Sequence, residues 1–187
     1  KQDVKDCIQE FFGMSLTGDK MIMKKILYLY GENSGKTVLL NTIQKLIGTF
    51  AISISNNLND YDYLYNKNLV VLNDDDERFN KSLLKKLVGG DLIYSKKFNF
   101  SFALSCRVVI ISNTKDYFNG DKAMMQRCIY VPCLMEPVLN PTEKHQRLID
   151  PNLYDKLNTP ETLSAILNWL IEGGLRFKQN GYITEPL

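Results

Sequence analysis

The chain has 187 residues, 44% hydrophobic and 24% charged, ordinary values for one globular domain with a core of its own. Its formal net charge of +2 creates no global field that would announce a nucleic-acid partner, so any basic surface must be local. No apolar stretch approaches the ~20 residues that span a bilayer and no signal peptide opens the chain, so no membrane partner is expected.

In chain order, residues 2–12 place Val4, Cys7, Ile8, Phe11 and Phe12 at helical spacing, which Gly13 and Thr17-Gly18-Asp19 then break. Lys25 to Tyr30 reads as a core strand. Lys36 to Ile47 repeats Val38, Leu39, Leu40, Ile43, Leu46 and Ile47 along a helix that Gly48 closes. Phe50 to Ile54 is a second strand, and Asn56 to Tyr65 a polar, Tyr-rich loop leading into a short helix. Leu69 to Leu72 is a continuous apolar run, the mark of a strand buried on both faces. Lys81 to Val88 predicts a short helix ending at Gly89-Gly90. Leu92 to Phe102 alternates like a hairpin, with Lys96 and Lys97 near its turn. Arg107 to Ser112 and Cys128 to Val131 are further strands. Pro132, Pro137 and Pro141 mark an irregular stretch, and Thr159-Pro160-Glu161 opens a last helix carrying Leu163, Ile166, Leu167, Leu170 and Ile171.

Alternating strands and helices predict an α/β fold: a mainly parallel five-stranded sheet flanked by helices, with a β-hairpin insertion and helical ends. The expected division is an N-terminal helix and lead-in at 1–20, a core at 21–135, and an irregular linker with a helical segment at 136–187. The opening Lys1, in place of Met, points to a segment of a longer protein. Cys7, Cys106, Cys128 and Cys133 form no Cys-x-x-Cys pair and His145 is the single histidine, which argues against a zinc site or a disulfide framework. Reduced, mostly buried thiols in a cytoplasmic protein are expected instead.

Ligands of parallel α/β sheets bind at the carboxyl ends of the strands, and three strands here carry polar residues just past those ends. The first is Gly31-Glu32-Asn33-Ser34-Gly35-Lys36-Thr37, a strand–loop–helix junction whose backbone N–H groups would cradle the phosphates of ATP or GTP. Lys36 would reach the β- and γ-phosphates and the Thr37 hydroxyl would ligate Mg²⁺. The spacing departs from the usual Gly-x₄-Gly-Lys-Ser/Thr: Tyr30 stands where the first glycine belongs, so the loop is one residue short. The alternative is a Gly-rich turn with no ligand.

Asp74, Asp75, Asp76 and Glu77 follow the 69–72 strand, where an acid can hold the metal and a second can polarise the attacking water; the alternative is a solvated acidic turn. Asn113 ends the 107–112 strand, where an amide can orient that water or sense the γ-phosphate. Arg127 could be supplied to a neighbour's γ-phosphate, or form a surface salt bridge. Lys96 and Lys97 sit among Tyr94, Phe98, Phe100 and Phe102, a mixture that suits single-stranded nucleic acid, although alternating Phe residues also suit a core.

The order of these motifs resembles the superfamily 3 helicase domain of viral, phage and plasmid primase-helicases. Leu29 to Thr37 is similar to that family's motif A and Leu69 to Asp74 to its motif B. Leu84 to Asp91, followed by Ile93 and Lys96-Lys97, resembles its additional motif, Val109 to Asn113 its motif C, and Asp121 to Pro132 the segment carrying its arginine finger. The resemblance implies an AAA+-like P-loop NTPase core, with Mg²⁺ and ATP bound between subunits of a homo-hexamer. It also implies single-stranded or forked DNA gripped near Lys96 and Lys97, and a bacterial or virus-infected host cytoplasm; without its flanking regions this segment is expected to be a monomer. Lys36, Asp74, Asp75, Asn113 and Arg127 would be catalytic, Gly31 to Thr37 would bind ATP, and Thr37 and Asp74 the metal. Gln126 replaces the first arginine of the family's usual pair, leaving Arg127 to act alone. The reading of another class is an oligomerisation and DNA-binding module with an impaired ATP site. A P-loop kinase or GTPase fits less well, since no acceptor- or guanine-binding motif is present.

Overall fold

A computed structural model describes residues 1–18, 24–54, 61–73, 80–115 and 118–186. The acids Asp74, Asp75, Asp76 and Glu77 lie outside the described residues.

Five strands form one wholly parallel sheet: β1 (Ile26–Tyr30), β2 (Ala51–Ile54), β3 (Leu69–Asn73), β6 (Arg107–Ser112) and β7 (Cys128–Pro132), in the order β2-β3-β6-β1-β7. The strands are short and apolar on both faces because helices cover both faces. From β1, Tyr28 joins Val70, Leu72, Val108 and Ile110 against α3 (Lys81–Gly89) and Met124 of α4 (Lys122–Met125). Leu27 and Leu29 join Val71, Val109 and Val131 against α1 (Gln2–Met14), α2 (Lys36–Ile47) and α6 (Pro160–Asn180). The alternation of successive residues between two cores is the period-2 geometry of a strand read through two helical layers.

The order places β6 between β1 and β3. The strand carrying the glycine loop and the strand preceding the acidic run are therefore both neighbours of β6, and the carboxyl ends of all three stand side by side. Between α3 and β6 runs an antiparallel hairpin, β4 (Leu92–Ser95) and β5 (Phe100–Ala103), with residues 96–99 as its turn.

The terminal helices pack closely on each other as well as on the sheet. A Cβ on Gly13 would overlap the backbone of Leu170 and Gly174, and one on Gly173 would overlap the backbone of Gln9. Around this close crossing, the fully buried Glu10 accepts from Thr184 N at 2.7 Å and Thr184 Oγ1 at 3.2 Å, and pairs with Arg176 Nε at 2.9 Å. Arg176 also holds Asp6 at 3.1 Å and bonds Gln9 Oε1.

Several boundaries differ from the sequence reading. The first helix runs two residues further, to Met14, because the α6 crossing covers Gly13. The stretch read as irregular after Pro132 contains two short parallel strands, β8 (Glu136–Val138) and β9 (Gln146–Leu148), with Gln146 Nε2 donating to Glu136 Oε2 at 3.2 Å, and is followed by a one-turn helix α5 (Leu153–Leu157). Their three- and five-residue lengths leave no periodicity to read. The final helix begins as its residues require, with Thr159 Oγ1 accepting from Thr162 N at 3.2 Å and Pro160 in the first turn. Among the described residues, no helix is long and apolar enough to cross a membrane.

Candidate functional site

The site is built where β1 ends. Strand pairing carries Tyr30 opposite Ser112 on one side and Pro132 on the other. The next amide, Gly31 N, donates to Ser112 O at 3.2 Å, while Cys133 N donates to Tyr30 O at 2.7 Å. Gly31 is thus squeezed between the ends of β6 and β7. Its φ is +135°, and a Cβ there would collide with the Cys133 carbonyl. Tyr30, at the position where the motif's first glycine belongs, is still strand, and the glycine is required one residue later, where the chain leaves the sheet.

From there the loop turns in a few residues. Gly31, Asn33 and Gly35, every second position, have positive φ values of 135°, 43° and 76°. Such alternation gathers backbone N–H groups into one concavity, an anion-binding form. Gly35 is the N-cap of α2 and provides no side-chain cap, and the first turn of α2 holds no acidic residue. The helix's first amides and the positive end of its dipole therefore face the loop without a carboxylate from this helix.

A cavity of about 260 Å³ lies over this junction. Its floor is Asn33, Ser34, Gly35, Lys36 and Thr37; its far wall is Asn73 from the end of β3, with Ser112 and Asn113 from the end of β6. Lys36 is only 9% exposed, and its ammonium donates to Gly31 O and lies 3.4 Å from Ser34 Oγ. A buried cation needs acceptors, and here the loop's own oxygens provide them. The half-buried Cys133 thiol is pushed up in pKa by burial and pulled back in part by the Lys36 ammonium.

Of the predicted residues, the fold brings Asn33, Ser34, Gly35, Lys36, Thr37 and Asn113 onto one cavity, with Gly31 shaping its entrance. Glu32 is exposed on the loop, outside this lining. Asp74 and Asp75 are not among the described residues, but Asn73, which precedes them, is on the wall. Sequence reasoning missed Asn73 as a site residue; its signal was its place at the end of the buried run.

Arg127 stands apart. Its backbone O accepts from Ile26 N at 2.7 Å, so it marks the amino end of β1, and its guanidinium donates to Ala123 O at 2.8 Å. The five residues of β1 separate it from the loop by about 16 Å at ~3.3 Å per residue, beyond reach of its own cavity.

Lys96 and Lys97 are exposed on the hairpin turn. The hairpin rests on Tyr65, whose ring lies 5.1, 5.3 and 5.2 Å from those of Phe98, Phe100 and Phe102. Tyr65 precedes β3, so this cluster also belongs to the amino end of the sheet. Phe102 is buried as a core residue, but Phe98 and Phe100 remain 37% and 40% exposed. The Lys97 ammonium lies 5.3 Å from the Phe98 ring centroid. The alternating Phe residues therefore divide between core and surface.

A family model described as a family of unknown function, DUF5906, matches residues 29–127, just over half of the chain and the span from the end of β1 to Arg127. No curated protein matches the chain. Among solved structures, the A-form apo structure of the NrS-1 C-terminal region is similar over 93% of this chain and 45% of that one, at 18% identity and a TM-score of 0.57. A second A-form apo structure, of NrS-1 residues 305–718, covers 93% and 44% at 19% identity and a TM-score of 0.52. The chain spans less than half the length of these neighbours, and at such identity the likeness is one of fold.

Proposed function

The chain belongs to DUF5906, a family of unknown function, and we propose that it is an AAA+-like P-loop NTPase: the ATP-dependent DNA helicase or translocase module of a viral, phage or plasmid replication protein. The observation that carries this reading is the cavity over Gly31–Thr37. Left-handed residues at alternate positions, an uncapped helix N-terminus, a nearly buried lysine and the polar ends of β3 and β6 meet there. That donor set fits a polyphosphate.

In this reading the Lys36 ammonium leaves the Gly31 carbonyl and donates to β- and γ-phosphate oxygens, while the loop amides hold the α/β-phosphates. The Thr37 hydroxyl on the cavity floor and the carboxylates of Asp74 and Asp75, next in the chain after Asn73, would hold Mg²⁺. When bound, that ion neutralises charge on the β- and γ-oxygens. Asn113 orients the attacking water from the β6 side. Arg127 lies too far from its own cavity and serves that of a neighbouring subunit, which makes a homo-hexameric ring the working form and the isolated segment a monomer. Lys96 and Lys97 grip single-stranded or forked DNA.

A second reading, an oligomerisation and DNA-binding module with an impaired ATP site, is favoured by two observations: Tyr30 shortens the loop, and Lys36 already has acceptors within it. ATP turnover measured with and without single-stranded DNA, on wild type and Lys36→Ala, separates the two. DNA-stimulated turnover lost in the variant is expected. Absence of turnover, with no change on Lys36→Ala, selects the impaired module.

A further inference from the structure

Tyr30 is the residue that breaks the expected loop spacing, and its surroundings give it a task. Its ring lies 6.4 Å from Tyr28 and 6.5 Å from Tyr130, and those two are 5.2 Å apart. All three tyrosines stand on the face of the sheet away from α2. Thr114 and Lys115 lie over them. Tyr28 donates its hydroxyl to Thr114 O at 3.0 Å, Thr114 N donates to Ser112 Oγ at 3.1 Å, and the exposed Lys115 puts its ammonium 5.9 Å from the Tyr30 centroid and 5.6 Å from that of Tyr130.

Asn113 therefore sits between two anchors just past the end of β6. On one side Ser112 O accepts from Gly31 N, and on the other Thr114 and Lys115 are tied to Tyr28 and Tyr30. Asn113, Thr114 and Lys115 are all exposed, and among the described residues these ties are what hold them. A cation over two rings attracts both through their quadrupoles, at a distance where the interaction is still appreciable.

We propose that Lys115 is a positioning residue. Clamped on Tyr30 and Tyr130, it fixes the Asn113 loop against the phosphate end of β1, and Tyr30 takes the place of the loop's first glycine because the clamp needs its ring. The proposal rests on the nucleotide reading for its consequence: a loop held in register with Gly31–Thr37 meets the terminal phosphate, so the clamp should matter for a triphosphate and not for a diphosphate. It acts through Asn113 and touches no ligand itself.

The test uses the full chain with Lys115→Met, which keeps the stem and removes the charge, and Lys115→Arg, which restores the cation. Because Lys115 is exposed, neither variant threatens folding. Amide hydrogen exchange without nucleotide reads the clamp directly. The Thr114 amide, held on Ser112 Oγ, should exchange about three- to tenfold faster in Lys115→Met and at wild-type rate in Lys115→Arg. Affinities for ADP and a non-hydrolysable ATP analogue read the consequence. In Lys115→Met the analogue should weaken by a similar factor while ADP stays within about twofold, with Lys115→Arg near wild type. Unchanged exchange at the Thr114 amide overturns the clamp. Faster exchange with equal losses for both nucleotides, or with none, overturns its role at the terminal phosphate. A wild type that binds neither nucleotide overturns that role together with the nucleotide reading, while exchange still decides whether the clamp exists.

Discussion

The carbonyl oxygen of Cys133 occupies the space where any side chain at position 31 would have to begin. This one contact joins the end of β7 to the entrance of the loop, and with Gly31 N bonded to Ser112 O it fixes the loop's first residue from both sides. Gly31→Ala must both adopt a φ of +135° and displace the Cys133 backbone. We expect a loss of about 2–3 kcal/mol in urea unfolding. Gly35→Ala is the comparison: its φ is +76°, but nothing lies within 4 Å of its Cβ, so only backbone strain of about 1 kcal/mol is expected. Equal costs at the two positions would refute the steric account.

The crossing of α1 and α6 should be as intolerant. A methyl group on Gly173 meets the backbone of Gln9, and the helices can separate only by stretching the Glu10–Arg176 and Glu10–Thr184 ties. Gly173→Ala should cost about 2–3 kcal/mol, lowering the thermal midpoint by roughly 5–10 °C for a domain of this size. A midpoint within a degree of wild type would mean the crossing is looser than described.

The buried thiols make stability fall at alkaline pH. Burial pushes Cys7 and Cys106 from 9.0 up to about 12. Their folded-state pKa values are raised, so the stabilisation is complete below pH 9 and is lost as pH climbs from 9 towards 12, where the unfolded chain has released protons that the folded chain retains. Each thiol adds up to about 1.4 kcal/mol per pH unit to that slope. Urea unfolding between pH 8 and 11 should show the decline, and Cys106→Ala should flatten it; a slope identical in wild type and variant would contradict the assignment.

Charge and stacking on the hairpin should be separable by salt. Binding of a fluorescent single-stranded oligonucleotide should lose about 1.4 from its log–log salt slope in the Lys96→Ala/Lys97→Ala double variant. Phe98→Ala should weaken binding by about 1–3 kcal/mol with the slope intact, because a ring contributes stacking and no counterion release. Anisotropy titrations at several salt concentrations give both numbers. A Phe98 variant that binds like wild type would return the ring to the Tyr65 cluster as packing alone.

Much of the architecture was legible because it is encoded in neighbouring residues. Leu69–Leu72 and Arg107–Ser112 announce strands buried on both faces, Thr159-Pro160 announces a helix start, and the alternation through Phe100 and Phe102 announces a hairpin. The polar residues past the strand ends pointed to a common site, and Lys36, Thr37 and Asn113 do meet on one cavity.

The rest depends on which segments become neighbours, and no local pattern carries that. Periodicity along β6 is the same whether the strand lies at an edge or between β1 and β3, yet only the central place sets Asn113 opposite the loop and leaves Asn73 on the wall. Gly31 looked misplaced by one residue when counted along the chain. It is where the backbone of Cys133, a hundred residues away in sequence, comes too close for a side chain. Arg127 is expected from sequence to serve a neighbour's γ-phosphate or form a surface salt bridge, and only the direction of β1 puts it at the other end of the sheet from the loop. Residue types and their spacing singled out the polar groups past the strand ends; strand order, a property of long-range pairing and close packing, decided which of them share one space.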